Sequence, residues 1–144
     1  MYTHTQAASY LLRGVVLAAC LAAALAVRSL GSNFVVWAPI GIGVLTVIVF
    51  GSLTTEVSQD RFTFWFGPGV VRRSFLLSEI RTWTPVTNLW WYGWGIHFTP
   101  HGWLYNVGGR DAVQFELTSG RRFRVGTDAP AALCEMIRVR KGAA

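Results

Sequence analysis

The charged residues of this chain are distributed so unevenly that they limit the folds open to it. Residues 1–58 carry only Arg13, Arg28 and Glu56, and residues 59–144 hold the remainder of the 13 basic and 7 acidic side chains. Two apolar stretches fill the front part, Tyr10 to Val27 and Phe34 to Phe50. Because 52% of all residues are hydrophobic and only 14% are charged, a fully soluble enzyme, a coiled coil and a disordered chain are excluded.

The two apolar stretches predict a transmembrane helical hairpin. Each is close to the length of about 17 to 25 residues that a bilayer requires, and the polar segment 28–33 between them suits a tight turn. We therefore predict a hairpin domain over residues 1–53, with helices at about 10–27 and 34–52. A secretory signal cleaved after Ala24-Leu25-Ala26 is the alternative. The basic excess behind the hairpin favours a multi-pass protein of the cell inner membrane with both termini in the cytoplasm.

A row of small residues on the first predicted helix is a candidate for helix packing. Small side chains every four residues let helix backbones approach closely. The row could pack within the hairpin, form a dimer contact or reflect only an alanine-rich composition. Its members are Gly14, Ala18, Ala22 and Ala26.

From Thr54 onward the hydrophobic pattern changes to a period of two, which is typical of half-buried β-strands. In residues 61–66 three phenylalanines alternate with other side chains, and Val113, Phe115 and Leu117 alternate with polar ones. Glycine and proline turns separate the strands. The predicted strands lie near 54–58, 61–66, 70–77, 79–86, 95–99, 103–107, 111–118 and 121–126. A C-terminal helix follows, with Pro130 in its first turn and a basic end.

The rear part of the chain resembles a known kind of domain. Gly67-Pro68-Gly69-Val70-Val71-Arg72-Arg73, Gly93-Trp94-Gly95-Ile96, residues 99–107 and Arg124-Val125-Gly126-Thr127-Asp128 are similar to segments of small bacterial membrane proteins with a pleckstrin-homology-like (PH-like) domain after two helices. The resemblance covers most of residues 54–138 and implies no catalytic residues. The expected fold is a membrane α-helical hairpin plus an all-β, PH-like, partly open barrel of about seven antiparallel strands with one C-terminal helix, over 54–144.

Catalysis is not predicted, because the chain lacks the side-chain sets that it needs. The sequence shows no nucleophile grouped with a general base and an acid, and it contains no phosphate-binding loop. His97 and His101 bracket a turn without a nearby cysteine or carboxylate, which is a weak metal signal. We predict a non-enzyme with no cofactor, no metal and no nucleic acid partner.

Two features could bind a partner. Trp90, Trp91, Tyr92 and Trp94 lie between strands, where they could either fill the core or contact a lipid interface or a protein. Arg122 and Arg124 share one strand face by alternation, whereas Arg72 and Arg73 face opposite ways, as do Arg121 and Arg122. A solvated surface is the alternative for these arginines. The predicted function is a membrane-anchored binding or scaffolding module that contacts anionic lipid headgroups or another membrane protein. The alternative is an accessory subunit that docks on a membrane complex through its helices.

Overall fold

The computed structural model describes residues 1–8, 10–30 and 34–142. Within them the chain forms two β-sheets, two long helices inserted between the first two strands, and a C-terminal helix. The helices are α1 (Tyr10–Leu30), α2 (Phe34–Phe50) and α3 (Pro130–Gly142). The predicted turn residues 31–33 lie outside the described part.

The first sheet is antiparallel in the order β1-β2-β3-β4. Its strands are β1 (Tyr2–Ala7), β2 (Ser52–Val57), β3 (Arg61–Phe66) and β4 (Val71–Leu76). The alternation of β3 turns Phe62, Phe64 and Phe66 to the core, where all three are fully buried. A 3₁₀ turn, Leu77–Glu79, leads to the second sheet.

The second sheet has the order β5-β8-β9-β7-β6 and is mixed. Its strands are β5 (Ile80–Thr87), β6 (Gly95–Thr99), β7 (Gly102–Asn106), β8 (Asp111–Leu117) and β9 (Arg122–Gly126). Strands β7 and β9 pair in parallel, with Trp103 opposite Phe123. The other neighbours are antiparallel. Pro85 lies in β5, which is an edge strand and therefore tolerates the missing backbone donor.

The core lies between the two sheets and is built largely of aromatic rings. Phe62 of β3 stacks on Phe115 of β8 at 4.7 Å between ring centroids, and Phe75 of β4 stacks on Phe123 of β9 at 4.5 Å. Helix α3 adds Leu133, which is fully buried, and packs against β5, β8 and β2. Helix α3 therefore covers the end of the core that lies next to β5, β8 and β2.

The helices correct the predicted membrane hairpin. In the part of the chain that the structure describes, no helix is both long enough and apolar enough to cross a membrane. Helix α2 has 17 residues and rises about 25 Å, less than the hydrocarbon thickness of about 30 Å. Helix α1 is longer, but Arg13 and Arg28 leave only about 20 Å of uncharged helix between them. The prediction of a transmembrane, multi-pass inner-membrane protein is thus wrong.

The predicted β-architecture is also corrected. The described strands form two sheets of four and five strands with one parallel pair, not a barrel of about seven antiparallel strands. The difference has two sources. The segment Tyr2–Ala7 adds an unpredicted strand to β2, and β9 returns beside β7 as well as beside β8. The positions of the predicted strands and of the C-terminal helix are confirmed to within about two residues.

Candidate functional site: the Trp-rich turn and its pocket

The tryptophan cluster forms an exposed turn between β5 and β6. Trp90–Tyr92 is a 3₁₀ turn, in which the backbone N–H of Tyr92 donates to the carbonyl of Leu89 at 3.1 Å. Trp90 is 76% exposed and Trp91 is 61% exposed, and their rings meet edge to face at 5.7 Å between centroids. These two indoles therefore do not fill the core. We call residues 89–94 the Trp-rich turn.

A pocket of about 650 Å³ lies between the Trp-rich turn and the start of α1. Its apolar lining consists of Tyr10, Leu89, Trp90 and Trp94. Its polar lining consists of Asn88, Asn106 and Arg110, with Gly93 and Gly109 between them. Among the described residues that line the pocket, none is a carboxylate, a histidine, a serine or a cysteine. A mainly apolar lining with a few polar groups is typical of a ligand-binding pocket.

Asparagine side chains and an arginine hold the loops around this pocket. Asn106 donates through Nδ2 to the carbonyl of Gly109 at 3.2 Å, and its Oδ1 accepts from the N–H of Gly108 at 3.2 Å. Arg110 donates through Nε to the carbonyl of Asn88 at 3.2 Å. Sequence analysis missed these residues, and it also missed Tyr10. The Asn106-Val107-Gly108-Gly109 run signals a turn, but nothing in it indicates what the turn will meet.

Arg124 supports the Trp-rich turn from beneath. Its guanidinium is buried and donates through Nη1 to Oδ1 of Asn88 at 3.0 Å and through Nε to Oε1 of Gln114 at 2.9 Å. Burial lowers the pKa of Arg124 from its ordinary value, and the nearby Tyr92 partly offsets this. Arginine nevertheless stays charged in proteins, so these charge-assisted hydrogen bonds fix Asn88 at the edge of the turn.

Arg122 has a different role from Arg124, although both lie on one face of β9 as predicted. Arg122 lies opposite Glu116 in the strand pairing, and Arg124 lies opposite Gln114. Nε of Arg122 lies 3.6 Å from Glu116, and that exposed pair is a weak interaction. The structure therefore brings Arg124 to the Trp-rich turn as a positioning residue and leaves Arg122 at the surface.

The small-residue row of α1 does not form the contact with α2. Gly14, Ala18 and Ala22 are exposed, and Ala26 is half-buried. Helix α1 instead turns a different face to α2, as the contact between Gly43 and Val16 indicates: a Cβ added at Gly43 would lie 3.4 Å from Cγ1 of Val16.

His97 and His101, the weak metal signal of the sequence, each make a local hydrogen bond, His97 through its ring and His101 through its backbone. A ring nitrogen of His97 bonds the carbonyl of Trp94, and the backbone N–H of His101 donates to Oγ1 of Thr99 at 3.2 Å. No three histidine, cysteine or acidic side chains gather into a possible metal site within residues 1–8, 10–30 and 34–142.

Neither of two comparisons with known proteins gives a match. A scan against protein-family models finds no match, and a search of curated proteins finds no similar sequence. The resemblance to PH-like domains therefore stays a hypothesis based on the sequence segments quoted above.

Proposed function

We propose that this chain is a non-catalytic binding module and that the Trp-rich turn is its contact surface. The observation that carries the proposal is the exposure of Trp90 and Trp91 on a turn whose first neighbour, Asn88, is held by hydrogen bonds from Arg110 and Arg124. Large exposed aromatic side chains are costly to keep in water and mark interaction sites when they cluster. Tryptophan also supplies much of the binding energy at interfaces, because it buries a large rigid surface.

The surroundings of the turn support anionic lipid headgroups as the partner. Tryptophan and tyrosine prefer the boundary between water and hydrocarbon, and Tyr10 adds a third exposed ring beside the pocket. Arg110 lines the same pocket, and the guanidinium of Arg13 lies 6.0 Å from the Tyr10 ring centroid. Basic residues next to interfacial rings attract anionic lipid by about 1 kcal/mol each.

A second candidate function, an accessory subunit, is supported by the outer surface of the helices. Leu17, Leu21 and Leu25 follow one another every four residues along α1, and each is more than half exposed. Ile42 and Leu45 of α2 are similarly exposed. An apolar row of this kind fits a partner helix, because residues four apart lie on one face.

Flotation of the full-length chain with liposomes tests the first function. We expect binding to vesicles that contain phosphatidylserine to exceed binding to neutral vesicles and to fall at high salt. Replacing Trp90 and Trp91 with alanine should weaken this charge-dependent binding about tenfold and leave the thermal unfolding temperature unchanged. Retained binding in this double variant would overturn the proposal.

A matched double variant on α1 is the control for the tryptophan variant. Leu17→Ser with Leu21→Ser removes exposed apolar surface away from the Trp-rich turn. We expect it to bind vesicles of phosphatidylserine with the same salt dependence as the parent chain. Loss of flotation in this variant, but not in the tryptophan variant, would show that α1 and not the Trp-rich turn contacts lipid, and would overturn the proposed contact surface.

A further inference from the structure

We infer that a second cleft, where β4 faces β6 and β7, binds a small amphiphilic anion: a carboxylate or phosphate group attached to an aromatic or short aliphatic body. The cleft has a volume of about 420 Å³. None of the described residues that line it also lines the pocket under the Trp-rich turn. The inference therefore goes beyond the function proposed above.

The cleft exists because the two sheets are not closed along this side. Strand β4 is the last strand of the first sheet and β6 is the last strand of the second. Helix α3 packs against β5, β8 and β2, so its side chains cover a different part of the core. The inner faces of β4, β6 and β7 thus remain accessible to a ligand.

Arg73 is the residue that suits this cleft to an anion. It lies opposite Phe64 in the strand pairing and has Val71 and Phe75 as its neighbours on the same face of β4. Phe64 is fully buried, so Arg73 extends from the side of the sheet that faces the second sheet, and its own side chain is exposed at the mouth of the cleft. Among the described residues, the Arg73 side chain has neither an ion pair nor a hydrogen bond.

The preceding arginine provides the contrast. Arg72 lies on the other face of β4, with its guanidinium 4.9 Å from the centroid of the Trp65 ring. This cation–π contact gives the Arg72 guanidinium a favourable partner within the protein. Arg73 is also exposed but has no such ring contact among the described residues, so its guanidinium donors remain available to an anion in the cleft.

Further positive charge borders the cleft at the start of β9. Arg121 and Arg122 both line it, and the Arg121 side chain has no ion pair with any described residue. No acidic residue is among the described lining. Guanidinium groups present two parallel donors that match a carboxylate or a phosphate. Arg122 pairs with Glu116, so the charges left for an anionic group are those of Arg73 and Arg121.

The remaining lining of the cleft is largely aromatic. Phe75 and Phe123 stack at 4.5 Å between ring centroids, and Ile96, Trp103 and Tyr105 also line the cleft. Small-molecule sites commonly have volumes of about 300 to 1,000 Å³ and combine such a lining with a few charged groups. An inorganic anion would leave the rings uncovered, so the ligand has an apolar body beside its charge.

Binding of 1-naphthyl phosphate and 1-naphthoate to the full-length chain, followed by NMR shifts of the Ile96 methyl groups, tests the inference. We expect both anions to shift Ile96, with the stronger one identifying the preferred group, and we expect neutral 1-naphthol and inorganic phosphate to bind at least about tenfold more weakly. Arg73→Gln should weaken anion binding about tenfold. Arg72→Gln, at the adjacent position, should leave it within about twofold.

Each other outcome overturns the inference. Absence of Ile96 shifts with either anion, equal binding of 1-naphthol, or equal effects of Arg72→Gln and Arg73→Gln would show that Arg73 does not hold an anion. Replacement of Trp90 and Trp91 with alanine should not change naphthyl phosphate binding. This variant distinguishes failure of the cleft site from failure of the function proposed for the Trp-rich turn.

Discussion

One buried guanidinium, that of Arg124, links the second sheet to the Trp-rich turn. Arg124→Met removes the donors to Asn88 and Gln114 and leaves both amide oxygens without them. We expect the free energy of unfolding to fall by about 2 to 4 kcal/mol, since buried polar atoms lose charge-assisted hydrogen bonds. Urea unfolding measures it. Arg122→Met on the same strand face, where the ion pair is exposed, should cost less than about 1 kcal/mol. Equal losses would contradict the positioning role.

The alternation of β9 and β4 predicted the directions of these arginines correctly, but it could not predict their surroundings. Arg124 and Asn88 are 36 residues apart in sequence and meet only because β5 and β9 both pair with β8. Similarly, alternation sets Arg73 opposite in direction to Arg72, but the open cleft around Arg73 depends on where the sheets end. Tyr10 lies beside the Trp-rich turn only in the folded chain, and no local sequence pattern predicts that proximity.

At the scale of elements, the alternation of side chains predicts which segments form strands. It does not predict which strands pair with each other. The strands predicted at 61–66 and 95–99 are confirmed residue for residue. Strand β1 has no apolar alternation, since Thr3, His4, Thr5 and Gln6 are all polar. It forms because β2 offers a free edge. The parallel β7–β9 pair is equally non-local, because periodicity identifies strands but does not fix their order.

One glycine of α2, Gly43, lies in the contact with α1. Gly43 approaches Val16, whereas a Cβ at Gly41 would have no neighbour within 4 Å. Replacing either glycine with leucine improves helix propensity by a similar amount, so the difference between the variants isolates packing. We expect Gly43→Leu to be about 1 to 3 kcal/mol less stable than Gly41→Leu, because the added side chain overpacks the contact. Thermal unfolding followed by helical circular dichroism measures this, and equal stability would contradict it.

For the whole molecule, the helical pair is an insertion between two adjacent strands. The backbone N–H of Ala8 donates to the carbonyl of Gly51 at 2.8 Å, so the chain leaves and re-enters the first sheet at one point. This sheet uses strands from both sides of the helices. Gln6 of β1 is buried and donates to the carbonyl of Gly108 at 2.9 Å. The strand before the helices is therefore part of the β-structure, and α1 and α2 mainly contact each other.

Excising the insertion tests this organisation. A chain in which a short Gly-Ser linker replaces residues 10–49 keeps β1 beside β2, and antiparallel neighbours can be joined by a turn of about two residues. We expect its free energy of unfolding to lie within about 2 kcal/mol of the full chain, because a shorter connection lowers the entropy cost of closure. Urea unfolding followed by tryptophan fluorescence measures the change.

The matched control for this excision is a chain that begins at Gly51. It also lacks both helices, but it loses β1 and the hydrogen bond from Gln6 to Gly108. It exposes the edge of β2, and it should be at least about 3 kcal/mol less stable than the linked chain, since several buried polar groups lose their partners at once. If the two chains unfold at the same urea concentration, β1 contributes nothing to the sheet. If the linked chain does not unfold cooperatively, the helices are required for the β-structure and are not an insertion.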